Sequence, residues 1–127
     1  MALEQIDYAD GALPLTGFLA RPEGPARAAV LILPTIMNCN AAMIRRAHML
    51  AHEGYVAMIA DFYGEQIRDL DHAMALSGTL RATAAGYRQR IRAGLAALSG
   101  HAAAQGLPLA TIGYCMGGQA ALELARD

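Results

Sequence analysis

Gly113-Tyr114-Cys115-Met116-Gly117-Gly118 joins an apolar run, residues 109–114 (LATIGY), to a run of helical propensity ending in QAALELARD. A glycine stands two residues before Cys115 and another two residues after it. That spacing fits a nucleophile elbow, the G-x-S-x-G turn with Cys in place of Ser. The turn from strand to helix is so tight that side chains at both flanking places would strike the neighbouring backbone. Gly113 and Gly117 remove them, and Gly118 follows at the start of the helix. Such a turn points the Cys115 sulfur away from the sheet, at the carboxyl end of the strands. It also sets the sulfur at a helix N-terminus, where the dipole and free N–H groups favour a thiolate. The Met116 N–H is then placed to stabilise an oxyanion on an acyl substrate. The plainer alternative is a buried Cys in an ordinary Gly-rich turn. A dinucleotide fingerprint fits less well, because G-x-G-x-x-G is not spelled here.

Upstream, residues 28–33 (AAVLIL) and 55–60 (YVAMIA) are short, continuous apolar runs, as suits strands buried on both faces of a parallel sheet. Residues 3–8 and 15–21 read as a hairpin, with Asp10-Gly11 supplying the turn chemistry. Asn40 is a suitable N-cap for a helix running to about Glu53 and stopped by Gly54. Its apolar side is Met43, Ala47 and Leu50. A longer helical region spans residues 69–98, interrupted near Gly78. In it Leu80, Ala84, Tyr87, Ile91, Leu95 and Leu98 form one stripe, and Ser99-Gly100 ends it. Strands alternating with helices predict an α/β fold with a mostly parallel sheet and right-handed crossovers. A length of 127 residues fits a single domain.

Hydrophobic residues make up 55% and charged residues 17%, a globular composition with enough apolar surface for a core. The net charge of −1 gives no electrostatic reason to expect nucleic acid or an anionic membrane. No stretch reaches the roughly 18 uninterrupted apolar residues of a membrane span. All ten basic residues are Arg. Without Lys there is neither a Walker A phosphate loop nor a pyridoxal-phosphate Schiff base. No other cofactor is implied. The two cysteines, Cys39 and Cys115, make no disulfide framework and no Cys-x-x-Cys metal site. The expected setting is the cytoplasm, with both thiols reduced.

The segment GYCMGGQAALELARD resembles the elbow of the dienelactone hydrolases, α/β-hydrolases with a Cys nucleophile. The stretch LILPTIMNCNAAMIRRAHMLAHEGYVAMIADFYGE is similar to that family's strand, oxyanion loop, first helix and next strand. The likeness covers most of residues 15–127. It implies a three-layer α/β-hydrolase sandwich in which strand 28–33 lies beside strand 109–114. It implies an enzyme that cleaves a small carboxylic ester or lactone. Cys115 would be the nucleophile, and Ile36 and Met116 would supply the oxyanion-hole N–H groups. Thr35 would border the substrate pocket, at the place where the best-known members carry a Glu that helps control the thiolate. Class I glutamine amidotransferases also use Cys in a G-x-C-x-G elbow, but the segment 34–38 lacks their usual Gly-Gly pair. A third reading is a non-catalytic remnant or binding module.

In α/β-hydrolases the acid and the His follow the nucleophile in the chain. No His follows Cys115, and Glu123 and Asp127 lie on the helix after the elbow. The expectation is therefore an incomplete domain, the N-terminal part of a hydrolase, inactive alone. Its strand 109–114 would be a bare apolar edge open to self-association. His48 and His52 are four apart, as a helical metal pair would be, but they fall on the expected solvated face and lack a third ligand. His72 and His101 are poorly placed as bases. Asp61 reads as a carboxylate that organises its loop, Cys39 as a spectator thiol, and Arg81, Arg88, Arg90 and Arg92 as a solvated helix face.

Overall fold

The computed structural model describes residues 3–114. Cys115, Met116, Gly117, Gly118 and the helix expected after them lie outside the described residues. The chain opens with the expected hairpin, β1 (Glu4–Asp10) and β2 (Leu13–Ala20), paired antiparallel. Gly11 supplies the left-handed residue of its turn, at φ +59°. There follow β3 (Ala28–Leu33), α1 (Ala41–His52), β4 (Tyr55–Ile59), α2 (Leu70–Leu80), α3 (Ala84–Gly100), a single 3-10 turn and β5 (Leu109–Gly113).

The five strands among the described residues form one mixed sheet in the order β1-β2-β4-β3-β5. β4, β3 and β5 are parallel, and β2 joins β4 antiparallel. Side chains alternate across each strand, so the two faces build two cores. Ala29, Leu31 and Leu33 of β3 face Tyr87, Ile91 and Leu98 of α3. Ile32, with Ala57 and Ile59 of β4, faces Met43, Ala47 and Ala51 of α1. Helices on both faces explain why β3 and β4 read as unbroken apolar runs.

α1 begins where its cap was expected. The Asn40 side chain accepts the Met43 N–H, and Gly54, at φ +98°, turns the chain out of the helix. The long helical region breaks elsewhere than expected. Gly78 sits inside α2, and the break falls at residues 81–83. The Thr83 hydroxyl accepts the Gly86 N–H and starts a new helix there. A lone exposed Gly costs a helix only about 1 kcal/mol, whereas a capped start sets a boundary. The stripe therefore divides between two helices. Leu80 ends α2, Ala84 is exposed, and Tyr87, Ile91 and Leu98 are buried on α3.

Arg90 is a correction. It was expected on a solvated face, but its Nε lies 2.6 Å from Asp10 Oδ2 and its Nη1 donates to the Phe62 carbonyl. The Gln89 amide donates to Asp10 Oδ1 at 2.5 Å. α3 is thereby tied to the tip of the hairpin and to the loop after β4. Among the described residues β5 stands at the edge of the sheet, where Leu109 and Ile112 are 44% and 37% exposed. No helix among the described residues is long and apolar enough to cross a membrane.

Burial by itself raises the Asp10 pKa, but the hydrogen bonds from Arg90 and Gln89 and the Arg90 charge outweigh it, leaving the carboxyl below its usual range. A depressed folded pKa adds stability above the unfolded value, about 3.9, and that stability is lost as pH falls through the folded pKa. Asp10→Asn is expected to lower the urea midpoint at pH 7. The gap from the wild type should close as the pH drops below about 4.

Candidate active site

Two loops leave the carboxyl edge of the sheet side by side, residues 34–40 after β3 and residues 60–69 after β4. Open α/β sheets bind ligands at this edge. Asp61 ties the two loops together. It is 7% exposed, and its Oδ1 accepts from Asn38 Nδ2 at 2.8 Å and from the Tyr63 and Gly64 N–H groups at 3.0 Å. Its Oδ2 accepts the Thr16 N–H of β2 at 2.9 Å. These bonds bear out the reading of Asp61 as a loop-organising carboxylate. A buried carboxylate is tolerable only when such donors replace water.

Asn38 was not singled out from the sequence. It is 8% exposed and left-handed, at φ +63°. Asn tolerates that region better than most residues. Its Oδ1 accepts the Phe62 N–H at 2.9 Å, so its amide bridges both loops. Tyr63 was missed as well. Its hydroxyl donates to the Ile36 carbonyl at 2.8 Å. Burial pushes the Tyr63 phenol up to about 12, against the Ser77 hydroxyl and the Arg81 charge, so it stays a proton donor across the neutral range. The available signals were an Asn in a short loop after a strand and the D-F-Y that ends the next one.

Thr35 and Ile36 are half-buried. The Thr35 hydroxyl accepts the Met37 N–H at 3.2 Å and so serves its own turn. The Ile36 N–H has no acceptor among the described residues. β5 lies beside β3 as expected, with Gly113 paired to Leu33. The Tyr114 N–H extends the ladder to the Leu33 carbonyl at 3.1 Å. The Arg46 guanidinium of α1 sits 5.2 Å from the centre of the Tyr114 ring. The chain thus approaches position 115 alongside the start of the Ile36 loop.

The remaining candidates are engaged elsewhere. Cys39 is half-buried, and burial together with the Asp61 charge pushes its thiol up, the opposite of an activated nucleophile. It borders a groove of about 650 Å³ with Phe18, Met37, Asn40 and Ile44. His48 and His52 line a hollow with Arg21 and Glu23, at the amino edge of the sheet. His72 Nδ1 accepts the Arg68 N–H at 3.1 Å, and its Nε2 lies 3.6 Å from Glu65. His101 Nδ1 accepts the Ala103 N–H at 3.1 Å. No group of three His, Cys, Asp or Glu suited to a metal occurs among the described residues.

A mixed sheet between helices, with its loops converging at the carboxyl edge, gives these residues the α/β-hydrolase fold. The chain belongs to the dienelactone hydrolase family, whose sequence profile it matches over residues 15–127. It is 30% identical, over 99% of its own length, to a probable 2-oxo-3-(5-oxofuran-2-ylidene)propanoate lactonase of Bradyrhizobium, of which it covers 52%. A dienelactone hydrolase-like promiscuous phosphotriesterase from metagenomic libraries superposes with a TM-score of 0.91 at 32% identity, over 98% of this chain and 54% of that one. A dienelactone hydrolase from Anabaena variabilis shares the fold, with a TM-score of 0.69 at 19% identity, over 96% of this chain and 56% of that one. The chain thus spans about half the length of these relatives.

Asp61→Ala strands several buried donors at once and is expected to cost at least about 3 kcal/mol in urea unfolding. Gly64→Ala should also destabilise. Gly64 sits at φ +77°, and a Cβ there would lie 2.7 Å from the Pro14 carbonyl oxygen. A midpoint unchanged by either substitution would contradict the reading of the Asp61 loop.

Proposed function

We propose that this chain carries the nucleophile and oxyanion-hole part of a cytoplasmic ester or lactone hydrolase, with Cys115 as nucleophile. The observation that supports this most directly is the β3–β5 ladder, which runs through Gly113 and on to Tyr114. It brings the strand end leading into Cys115 next to the loop that carries Ile36. The family's hydrolase character and the lactonase relative support the same substrate class.

In the proposed reaction the Cys115 thiolate attacks the acyl carbon, and its proton has passed to a base. The carbonyl oxygen gains negative charge, met by the N–H groups of Ile36 and Met116. Collapse of the adduct expels the alcohol oxygen, which takes up a proton, and leaves a thioester on Cys115. Water then cleaves the thioester to the acid and restores the thiol. In a lactone both products stay on one molecule. None of the four histidines is placed to act as the base, because each sits at the amino edge or is tied into a local turn. The base and its orienting acid are proposed to come from outside residues 1–127.

The full-length protein is expected to hydrolyse p-nitrophenyl acetate, and Cys115→Ala should lower kcat by about a thousandfold or more. Iodoacetamide at pH 7 should alkylate Cys115 before Cys39, with Cys39 gaining reactivity only as pH rises towards its elevated pKa. Unchanged hydrolysis in Cys115→Ala would remove this assignment.

A further inference from the structure

An oxyanion hole needs its amides held in one direction before the substrate arrives. The Thr35 carbonyl and the Ile36 N–H belong to one planar peptide unit, and no cis bond occurs among the described residues. In a trans unit the C=O and the N–H point in opposite directions. The Thr35 carbonyl accepts the Asn38 N–H at 2.9 Å. The Ile36 N–H is therefore turned away from Asn38 and out of the turn. The next peptide unit is held separately, by the Tyr63 hydroxyl on the Ile36 carbonyl.

The Asn38 N–H is kept at Thr35 because the residue that carries it is anchored. The Asn38 side chain donates to Asp61 Oδ1 at 2.8 Å and accepts the Phe62 N–H at 2.9 Å. Beyond that N–H the backbone leaves the turn at a left-handed φ of +63°. We infer that Asn38 is a positioning residue for the oxyanion hole, setting the direction of the Ile36 N–H through the shared Thr35–Ile36 peptide unit. This rests on the proposed role of Ile36. Asn38 itself touches no reacting atom. It acts by holding a donor still, which shows in kcat rather than in substrate binding.

Asn38→Gly is the informative variant, because Gly accepts the left-handed backbone while losing both side-chain bonds. In the full-length protein, kcat for p-nitrophenyl acetate should fall about 10- to 100-fold with KM within about threefold, as expected for a misaimed transition-state donor. A purely structural role would lower Tm and leave kcat per folded molecule unchanged. A kcat within about twofold of wild type in folded Asn38→Gly would overturn the inference. Amide hydrogen exchange gives a readout independent of activity. The Asn38 N–H should be protected in the wild type and exchange about tenfold faster or more in the variant. Tyr63→Phe, which removes only the hydroxyl on Ile36, should lower kcat severalfold. An unprotected Asn38 N–H in the wild type overturns the inference even if Asn38→Gly does not fold. A wild-type protein without ester hydrolysis would instead refute the proposed function, and the exchange data would still decide whether Asn38 holds the turn.

Discussion

A carboxylate taken out of water must find replacement donors, and Asp61 finds them on three separate stretches of chain. Thr16 comes from β2, Asn38 from the loop after β3, and Tyr63 and Gly64 from Asp61's own loop. Removing one partner leaves the others facing an unsatisfied charge or stranded donors, so the cluster holds together as a unit. Because the carboxylate sits where β4 ends, it fixes the carboxyl edge of the sheet, where an α/β fold does its chemistry. The Arg90–Asp10 pair acts at greater reach, tying α3 to the hairpin tip and to the Phe62 carbonyl beside that same loop.

Environment decides what a cysteine can do, and Cys39 is the case in point. Cys39 lies in the loop after β3, where burial and the nearby Asp61 charge disfavour its thiolate. The proposed role of Cys115 rests on the opposite setting, the helix N-terminus that the glycine spacing around it leads one to expect after β5. One side-chain type thus carries two different expectations in a chain of 127 residues. The histidines divide in the same way. Their ring nitrogens are used locally, as in the caps made by His72 and His101, or they face the amino edge.

Much of the fold was legible because it rests on local rules. Asn40 caps α1, Gly54 ends it, Gly11 turns the hairpin, and the apolar runs 28–33 and 55–60 are strands. The Gly78 break was misjudged because a helix tolerates one exposed Gly, while the cap at Thr83 sets the true boundary. Ile36 and Thr35 were reached through resemblance, and their loop does lie beside the strand that leads to Cys115. Asn38, Tyr63 and the pairing of Arg90 were not legible, since each depends on partners far along the chain.

The sequence alone was enough for most of the element types and their order, because periodicity, caps and turn residues act within a few residues of one another. Tertiary structure alone decided how the Ile36 amide is held. Asn38 meets Asp61 across 23 positions, Ile36 meets Tyr63 across 27, and Arg90 meets Asp10 across 80. No local pattern records such bonds. They exist only because the β3–β4 and β3–β5 pairings carry distant loops to one edge of the sheet.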